Sequence, residues 1–307
     1  MQNWKPFGAL AALCILWGTT YFAIKIGVQS FPTFLFSGIR FVIAGGLIVL
    51  WYLFQKNVQW PSKRELIRLI ISGSFIFIGG NLFLCLAELS VPSGVAALVN
   101  TAFPLWIVVI TRLWNPIEKT PLMAILGILI GFAGQWMIFY EQLYQLDNAL
   151  YLGGFILLIL GVINGAFGSV YLKKYPVTIN PVLTGGLQML CCGTITTIVG
   201  VLGGEVPQLN TNPDGWWSMV YLIIAGSVLG YSFFLYALHH LPATMVSVYA
   251  YVNPIVALSL GWMFLSEPVS QRSIWAMAVT LTGVYFVNRG MMKARAEKLQ
   301  LQKQDEK

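Results

Sequence analysis

Four asparagines stand inside long apolar runs: Asn81, Asn100, Asn164 and Asn253. Each carboxamide carries donors and an acceptor that hydrocarbon cannot satisfy, so each must meet another helix, water or a ligand. Substrate contact and interhelical bonding fit them equally well. Trp17, Thr20 and Tyr21 share one helical face with Ile24. Trp and Tyr offer flat apolar area with one polar handle each, which suits an amphipathic organic molecule. Helix packing is the plainer use of the same face. Tyr231, Tyr249 and Tyr251 are candidates for an opposite wall, although Tyr249 and Tyr251, two positions apart, cannot both face it. Thr101 before Pro104, and Asn253 beside Pro254, predict local helix breaks, because proline removes a backbone donor and frees a carbonyl. A fixed kink is the alternative.

The charged residues inside or beside apolar runs are few. Lys25 and Arg40 lie in the outward halves of their runs. A charge at the centre of a membrane helix costs roughly 2.5–3.5 kcal/mol, but near the interface a lysine can snorkel. Arg40 lies about two turns in and needs a partner, for which Glu88 is a candidate. These three form a candidate gate or ion pair. Glu118 and Glu267 stand in similar tight turns, where each could cap the helix that follows. The two histidines, His239 and His240, are adjacent at one membrane edge. No Asp or Glu falls in the middle of any apolar run. A proton-driven pump would lack its usual carrier, and facilitated export or exchange is favoured. No Gly-x-Ser-x-Gly elbow, phosphate-binding Gly-x-x-x-x-Gly-Lys loop or His/Asp/Glu/Cys cluster is present, so an enzyme, a bound metal and a resident cofactor are not expected.

The elements that must position these residues follow from composition. Of 307 residues, 57% are hydrophobic and 9% charged, and mean hydropathy is +0.75. A soluble domain carries about 25% charged residues, so the chain is a polytopic membrane protein, expected to contact the lipid bilayer. A spanning helix needs about 20 apolar residues. Ten such runs are predicted, near 7–27, 33–54, 66–87, 93–112, 121–139, 149–172, 180–202, 215–238, 242–264 and 272–289. Gly127, Gly131 and Gly134 predict close helix packing. The four cysteines all fall inside apolar runs and read as small core residues. The net charge of +7 does not point to nucleic acid, because 15 of the 18 basic residues fall on one side once the N-terminus is placed in the cytoplasm. Both termini are then cytoplasmic, and the polar tail 291–307 is expected to fray.

The two halves echo each other. Pro104 aligns with Pro254, 150 positions apart, and Glu118 with Glu267, 149 apart. Trp17 aligns with Asn164, Arg40 with Gln188, and Asn81 with Tyr231. Five runs per copy is odd, so the copies must be inverted in the membrane. The loop at 55–65 is basic while its copy at 203–215 is acidic, as opposite sides require. The expected fold is therefore an all-α membrane protein of ten transmembrane helices in an inverted 5+5 repeat.

The segments LWGTTYFAIKIG, SGIRFVIAGG, VPSGVAALV and YAYVNPIVALSLGWMFLSEPVS resemble, in that order, the EamA family of the drug/metabolite transporter superfamily, and within it the YedA-like bacterial inner-membrane branch. The resemblance spans about 7 to 289. It implies two repeats, at 1–145 and 146–290, a central cavity between them, a bacterial inner-membrane location, and export or exchange of small metabolites. In this family an arginine recurs at the Arg40 position. The leading expectation is a secondary transporter for a small-molecule substrate such as an amino acid. An exchanger of anionic or phosphorylated metabolites using Lys25 and Arg40 is the alternative. A non-transporting scaffold or sensor is the alternative of another class. A homodimer is compatible with all three.

Overall fold

Prolines, serines and asparagines punctuate the apolar runs, and the chain turns where they stand. The first helix, α1 (Lys5–Ser30), stops ahead of Pro32: Phe31 is extended (φ −130°, ψ 150°), and its N–H closes on the Gly27 carbonyl. α2 (Thr33–Leu53) starts directly after that proline. Ser62 and Glu65 build a capping box at the start of α3 (Lys63–Gly73). Asn148, Asn180 and Asn212 cap α8 (Ala149–Lys174), α9 (Pro181–Leu202) and α10 (Pro213–Tyr221) through their side-chain oxygens. The remaining α-helices are α4 (Phe83–Ala87), α5 (Ser93–Asn100), α6 (Phe103–Trp114), α7 (Leu122–Gln142), α11 (Gly230–His240), α12 (Ala243–Val246), α13 (Tyr249–Leu265) and α14 (Gln271–Asp305). This computed structural model describes residues 4–55, 58–114, 120–142, 148–206, 212–241 and 243–305, and every regular element among them is helical.

Eight helical stretches of 21 to 28 residues are long and apolar enough to cross a membrane, and Tyr249–Leu265 is a shorter apolar helix. Their outer faces expose large side chains, among them Trp51, Leu129, Trp136, Leu202 and Trp262. Water would penalise such a surface and lipid does not. α14 stays helical through Asp305, so the expectation of a frayed tail from residue 291 is corrected.

Two helix pairs pack at backbone distance. α2 lies on α9: a Cβ on Gly45 would sit 2.5 Å from the Gly186 carbonyl oxygen, and one on Gly193 would sit 2.7 Å from the Val42 nitrogen. α7 lies on α14 in the same manner. A Cβ on Gly127 would sit 2.6 Å from the Gly283 carbonyl oxygen, and one on Gly134 would sit 2.6 Å from the Thr280 nitrogen.

Four places depart from regular α-helix. The stretches Ser74–Leu82 and Leu222–Leu229 are π-helical and link α3 to α4 and α10 to α11. α5 and α6 are separated at Thr101–Ala102, two residues ahead of Pro104, where a break is expected. Proline at the second position of α6 costs no hydrogen bond. The other break is displaced from its predicted place. Pro254 lies inside α13, and the chain opens at Ser247–Val248 instead. Gln135 satisfies the first break: its Nε2 donates to the Leu98 carbonyl (3.2 Å) and to Thr101 Oγ1 (3.1 Å).

Candidate functional site

A chamber of about 340 Å³ lies where these irregular segments meet. Its walls come from α1, α2, α4, α5, α6, α8, α9, α11, α13 and both π-helical stretches. A π-turn displaces the backbone ladder by one residue, and such turns concentrate at functional sites. Here they bring Ile76, Phe77, Gly80 and Asn81 to one wall, and Gly226 and Ser227 to another.

Trp17 closes the α1 side. Its indole N–H donates to the Gly226 carbonyl at 3.1 Å. The ring stacks on Phe234 (5.3 Å between centroids) and meets Tyr249 edge-on (5.0 Å). A Cβ on Gly230 would come within 2.5 Å of Trp17 Nε1, so glycine there makes room for the indole. Thr20 Oγ1 is turned back to the Trp17 carbonyl at 2.6 Å. Asn253, with its amide nitrogen facing them, donates to the carbonyls of Cys14 (3.1 Å) and Tyr249 (2.9 Å) and so ties α13 to α1. Asn100 donates to the Ala96 carbonyl (3.1 Å), and Thr101 Oγ1 to the Leu98 carbonyl (2.6 Å). Asn81 Oδ1 accepts only a long thiol contact from Cys85 (3.8 Å).

Trp17, Thr20, Tyr21, Asn81, Asn100, Thr101, Tyr231, Tyr249 and Asn253 all line this one chamber, and so does Arg40. Asn164 does not. The chamber face of α8 runs through Gly161 and Gly165, and Asn164 lies about 100° round the helix from Gly165. Its Nδ2 donates to the Leu160 carbonyl (2.8 Å), and its side chain packs against Gly79, where a Cβ would sit 2.7 Å from it. Tyr251 is also off the chamber and accepts from Asn288 Nδ2 at 3.3 Å.

Lys25 and Glu88 lie beside the chamber rather than on it. Lys25 Nζ donates to the backbone carbonyls of Glu88 (2.5 Å) and Val91 (3.1 Å). The expected Arg40–Glu88 pairing is not formed. Arg40 Nε reaches Ser227 Oγ at 3.4 Å, while its Nη1 and both Glu88 carboxyl oxygens are buried without a hydrogen-bond partner. Glu267 does cap a helix, but α5 rather than the one that follows it. Its carboxylate accepts from Ser93 N (2.7 Å), Ser93 Oγ (2.9 Å) and Gly94 N (3.0 Å). Ser270 Oγ, accepting from Ser273 N at 2.9 Å, serves the start of α14 instead. The reason is the left-handed Ser266 (φ 55°), which turns the chain after α13. Glu118 lies outside the described residues.

The sequence reading misses Phe41, Phe77, Phe103, Gly80, Gly161 and Ser227, all on the chamber wall. The phenylalanines are indistinguishable from lipid-facing ones in an apolar run. The pair Gly79-Gly80 in the third run is the signal that could have marked a close approach there.

Membrane-length helices around an internal chamber with polar and aromatic walls define a multi-pass membrane protein. The model of the EamA-like transporter family matches twice, over residues 6–140 and 152–289, and the chain belongs to that family. It is a membrane transporter. The inner membrane transporter YedA of Escherichia coli (strain K12) is 33% identical over 285 residues, covering 92% of this chain and 90% of the relative. Protein PecM of Dickeya dadantii (strain 3937) is 28% identical over 298 residues, covering 95% and 94%. A crystal structure 17% identical in sequence superposes with a TM-score of 0.66, covering 92% of this chain and 96% of that one, and shows the same fold.

Proposed function

We propose that the protein is a secondary transporter that exports a small amphipathic metabolite, such as an amino acid, by alternating access to the central chamber. One observation carries this reading: asparagine, threonine and aromatic side chains from both halves of the chain converge on one chamber of about 340 Å³. That is room for a metabolite, and its walls offer both hydrogen bonds and flat apolar area.

The architecture that goes with it is ten crossings in two inverted repeats, 1–145 and 146–290, with both termini in the cytoplasm of a bacterial cell and the inner membrane as location. Mirrored local features support the repeat. The two π-helical stretches begin 148 positions apart, at Ser74 and Leu222. Arg40 on α2 reaches Ser227 in the eighth run, and its counterpart Gln188 on α9 donates to Ser72 in the third, at 2.5 Å. Trp17 rests on Gly230, and its counterpart Asn164 rests on Gly79. Inverted repeats that meet at a central site can rock about it and open to one side at a time. The broken fourth and ninth runs are the natural hinges.

An anionic cargo held by Lys25 and Arg40 together finds less support, because only Arg40 lines the chamber. Counterflow of labelled aromatic amino acids into liposomes holding the purified protein tests the leading reading. Accumulation is expected, with loss in Asn253→Ala and Trp17→Ala. Absence of flux over a broad amino-acid panel would remove that cargo class. Flux that survives both substitutions would move the site elsewhere, and variants that change stability without ever changing flux would favour a scaffold.

A further inference from the structure

The molecule buries an acid it does not pair. Glu88 is 0% exposed, and both of its carboxyl oxygens lack a hydrogen-bond partner. Five buried side-chain atoms among the described residues are in that condition, and four belong to three residues: Ser37, Arg40 and Glu88. Ser37 and Arg40 lie one turn apart on α2, and Glu88 follows α4. Arg40 lines the chamber, and Glu88 is in electrostatic range of Arg40 and of Tyr21, which lines it too.

The groups around Glu88 are few. α1 presents Lys25 and Tyr21, α2 presents Arg40, its own helix presents Cys85, and the turn after α13 presents Glu267. α8 brings Gly154 to the adjoining Ala87 carbonyl and Ser90, and the Leu150 carbonyl accepts from Ser90 Oγ at 3.0 Å, but neither carries a charge. Lys25 is the first cation acting on the Glu88 charge, and two of its three ammonium N–H groups go to the backbone carbonyls of Glu88 and Val91, with none on the carboxyl oxygens. Glu267, the second acid in range, is spent on the start of α5. Arg40 is the second cation in range, and its Nη1 has no partner.

An ionised carboxylate buried without hydrogen bonds bears a desolvation penalty of several kcal/mol. In this arrangement the neutral acid is the form the surroundings tolerate. A guanidinium with a free N–H nearby supplies the opposite condition: if the two close on each other, a bidentate pair stabilises the charged form. We propose that Glu88 is a proton-binding site that alternates between a neutral, unpaired acid in this conformation and a carboxylate paired to Arg40 in another. The proton taken up by the carboxyl oxygen comes from water on the side to which the site opens. It returns to water on the other side when Arg40 displaces it, so no other reactant is needed. Because Arg40 also lines the chamber, its swing would tie that proton to the occupancy of the site and to a pH gradient. This deepens the transport reading above, and it revises the expectation that no carboxylate is placed to carry protons.

The test reads the carboxyl directly. Infrared spectra of the purified, detergent-solubilised protein at neutral pH are expected to show a protonated-carboxyl C=O stretch that shifts in heavy water and disappears in Glu88→Gln. In Glu88→Asp, a second variant in case the first does not fold, the band should shift but persist. Arg40→Gln should hold the band to higher pH, because the competing partner is gone. No cargo is needed for these spectra, so they stand apart from the amino-acid reading. In liposomes, phenylalanine counterflow driven by an imposed pH gradient should be lost in Glu88→Gln while exchange at equal pH is retained. A neutral-pH spectrum without the band, or a band unchanged by Glu88→Gln, would overturn the proposal. So would gradient-driven flux that survives the substitution, or wild-type flux indifferent to the gradient. If phenylalanine is not carried at all, the cargo reading fails and the spectra alone decide on Glu88.

Discussion

The α2–α9 pair and the chamber walls are built from opposite materials. In the pair, regular α-helices meet through glycines, and backbone touches backbone: Gly45 faces Gly186 and Leu190, and Gly193 faces Gly38 and Val42. In the walls the regular ladder is given up four times, in two π-helical stretches and two breaks. Polar side chains fill the gaps left behind, such as Gln135 at Leu98 and Trp17 at Gly226. Bulk lipid offers helices no hydrophobic drive to associate, so close contact has to supply it. A wall that must rearrange needs the reverse, a backbone whose hydrogen bonds are already shared with side chains. The glycine pairs read as frame and the irregular segments as moving parts.

Breaking the frame should have the largest effect. Gly45→Leu puts a side chain where main-chain atoms lie 2.5 Å from a Cβ. Those atoms cannot swing aside, and a loss of about 3 kcal/mol is expected. Thermal unfolding followed by size-exclusion chromatography should show a collapse in monodisperse protein. If the melting temperature holds, the frame reading is wrong.

Trp17→Ala comes next. Truncating a fully buried Trp costs about 3–5 kcal/mol, but Trp17 is half-buried, so about 2 kcal/mol is the expectation. Trp17→Phe should keep most of the packing and lose only the bond to Gly226, worth roughly 1 kcal/mol. Flux in both variants, compared with their melting temperatures, separates wall from frame. A pure frame residue would lose the two in step.

Gln135→Leu is expected to cost roughly 1 kcal/mol, the size of a hydrogen bond withdrawn from the break. Its sharper signature is local. Amide hydrogen exchange at 101–103 should speed up while that of α2 and α9 stays unchanged. Equal changes in both places would erase the contrast between them.

The smallest effect belongs to Gly46→Ala. A Cβ there meets nothing within 4 Å, and alanine favours helix by roughly 0.5–1 kcal/mol in water. Stability and flux should both be kept. The adjacent Gly45 and Gly46 thus form a pair of substitutions one residue apart with opposite outcomes. A loss in Gly46→Ala equal to that in Gly45→Leu would mean that the helix face is misassigned.

Much of the chamber lining was legible in the sequence, for a physical reason. A polar group in an apolar run has no neutral place to go in lipid, so Asn81, Asn100 and Asn253 announce an interior position by type alone. Helical spacing then gathers Trp17, Thr20 and Tyr21 on one face without any knowledge of the neighbours. The same logic fails for Asn164 because it fixes only that the residue points inward. Which interior it meets, chamber or Gly79, depends on a rotation of about 100° that the tertiary packing sets.

The sequence by itself determined the membrane class, the apolar runs, the places where the chain turns and the residues that must avoid lipid. These follow from hydropathy, proline chemistry and the cost of an unsatisfied amide, all of which are local. The tertiary structure alone decided which helices meet and what each charge finds there. It moved the ninth-run break from Pro254 to Ser247–Val248 and gave the Glu267 carboxylate to α5. It also left the Glu88 carboxyl and the Arg40 Nη1 each without a hydrogen-bond partner. Partner choice is a matter of distance between segments far apart in the chain, and that distance exists only once the helices have packed.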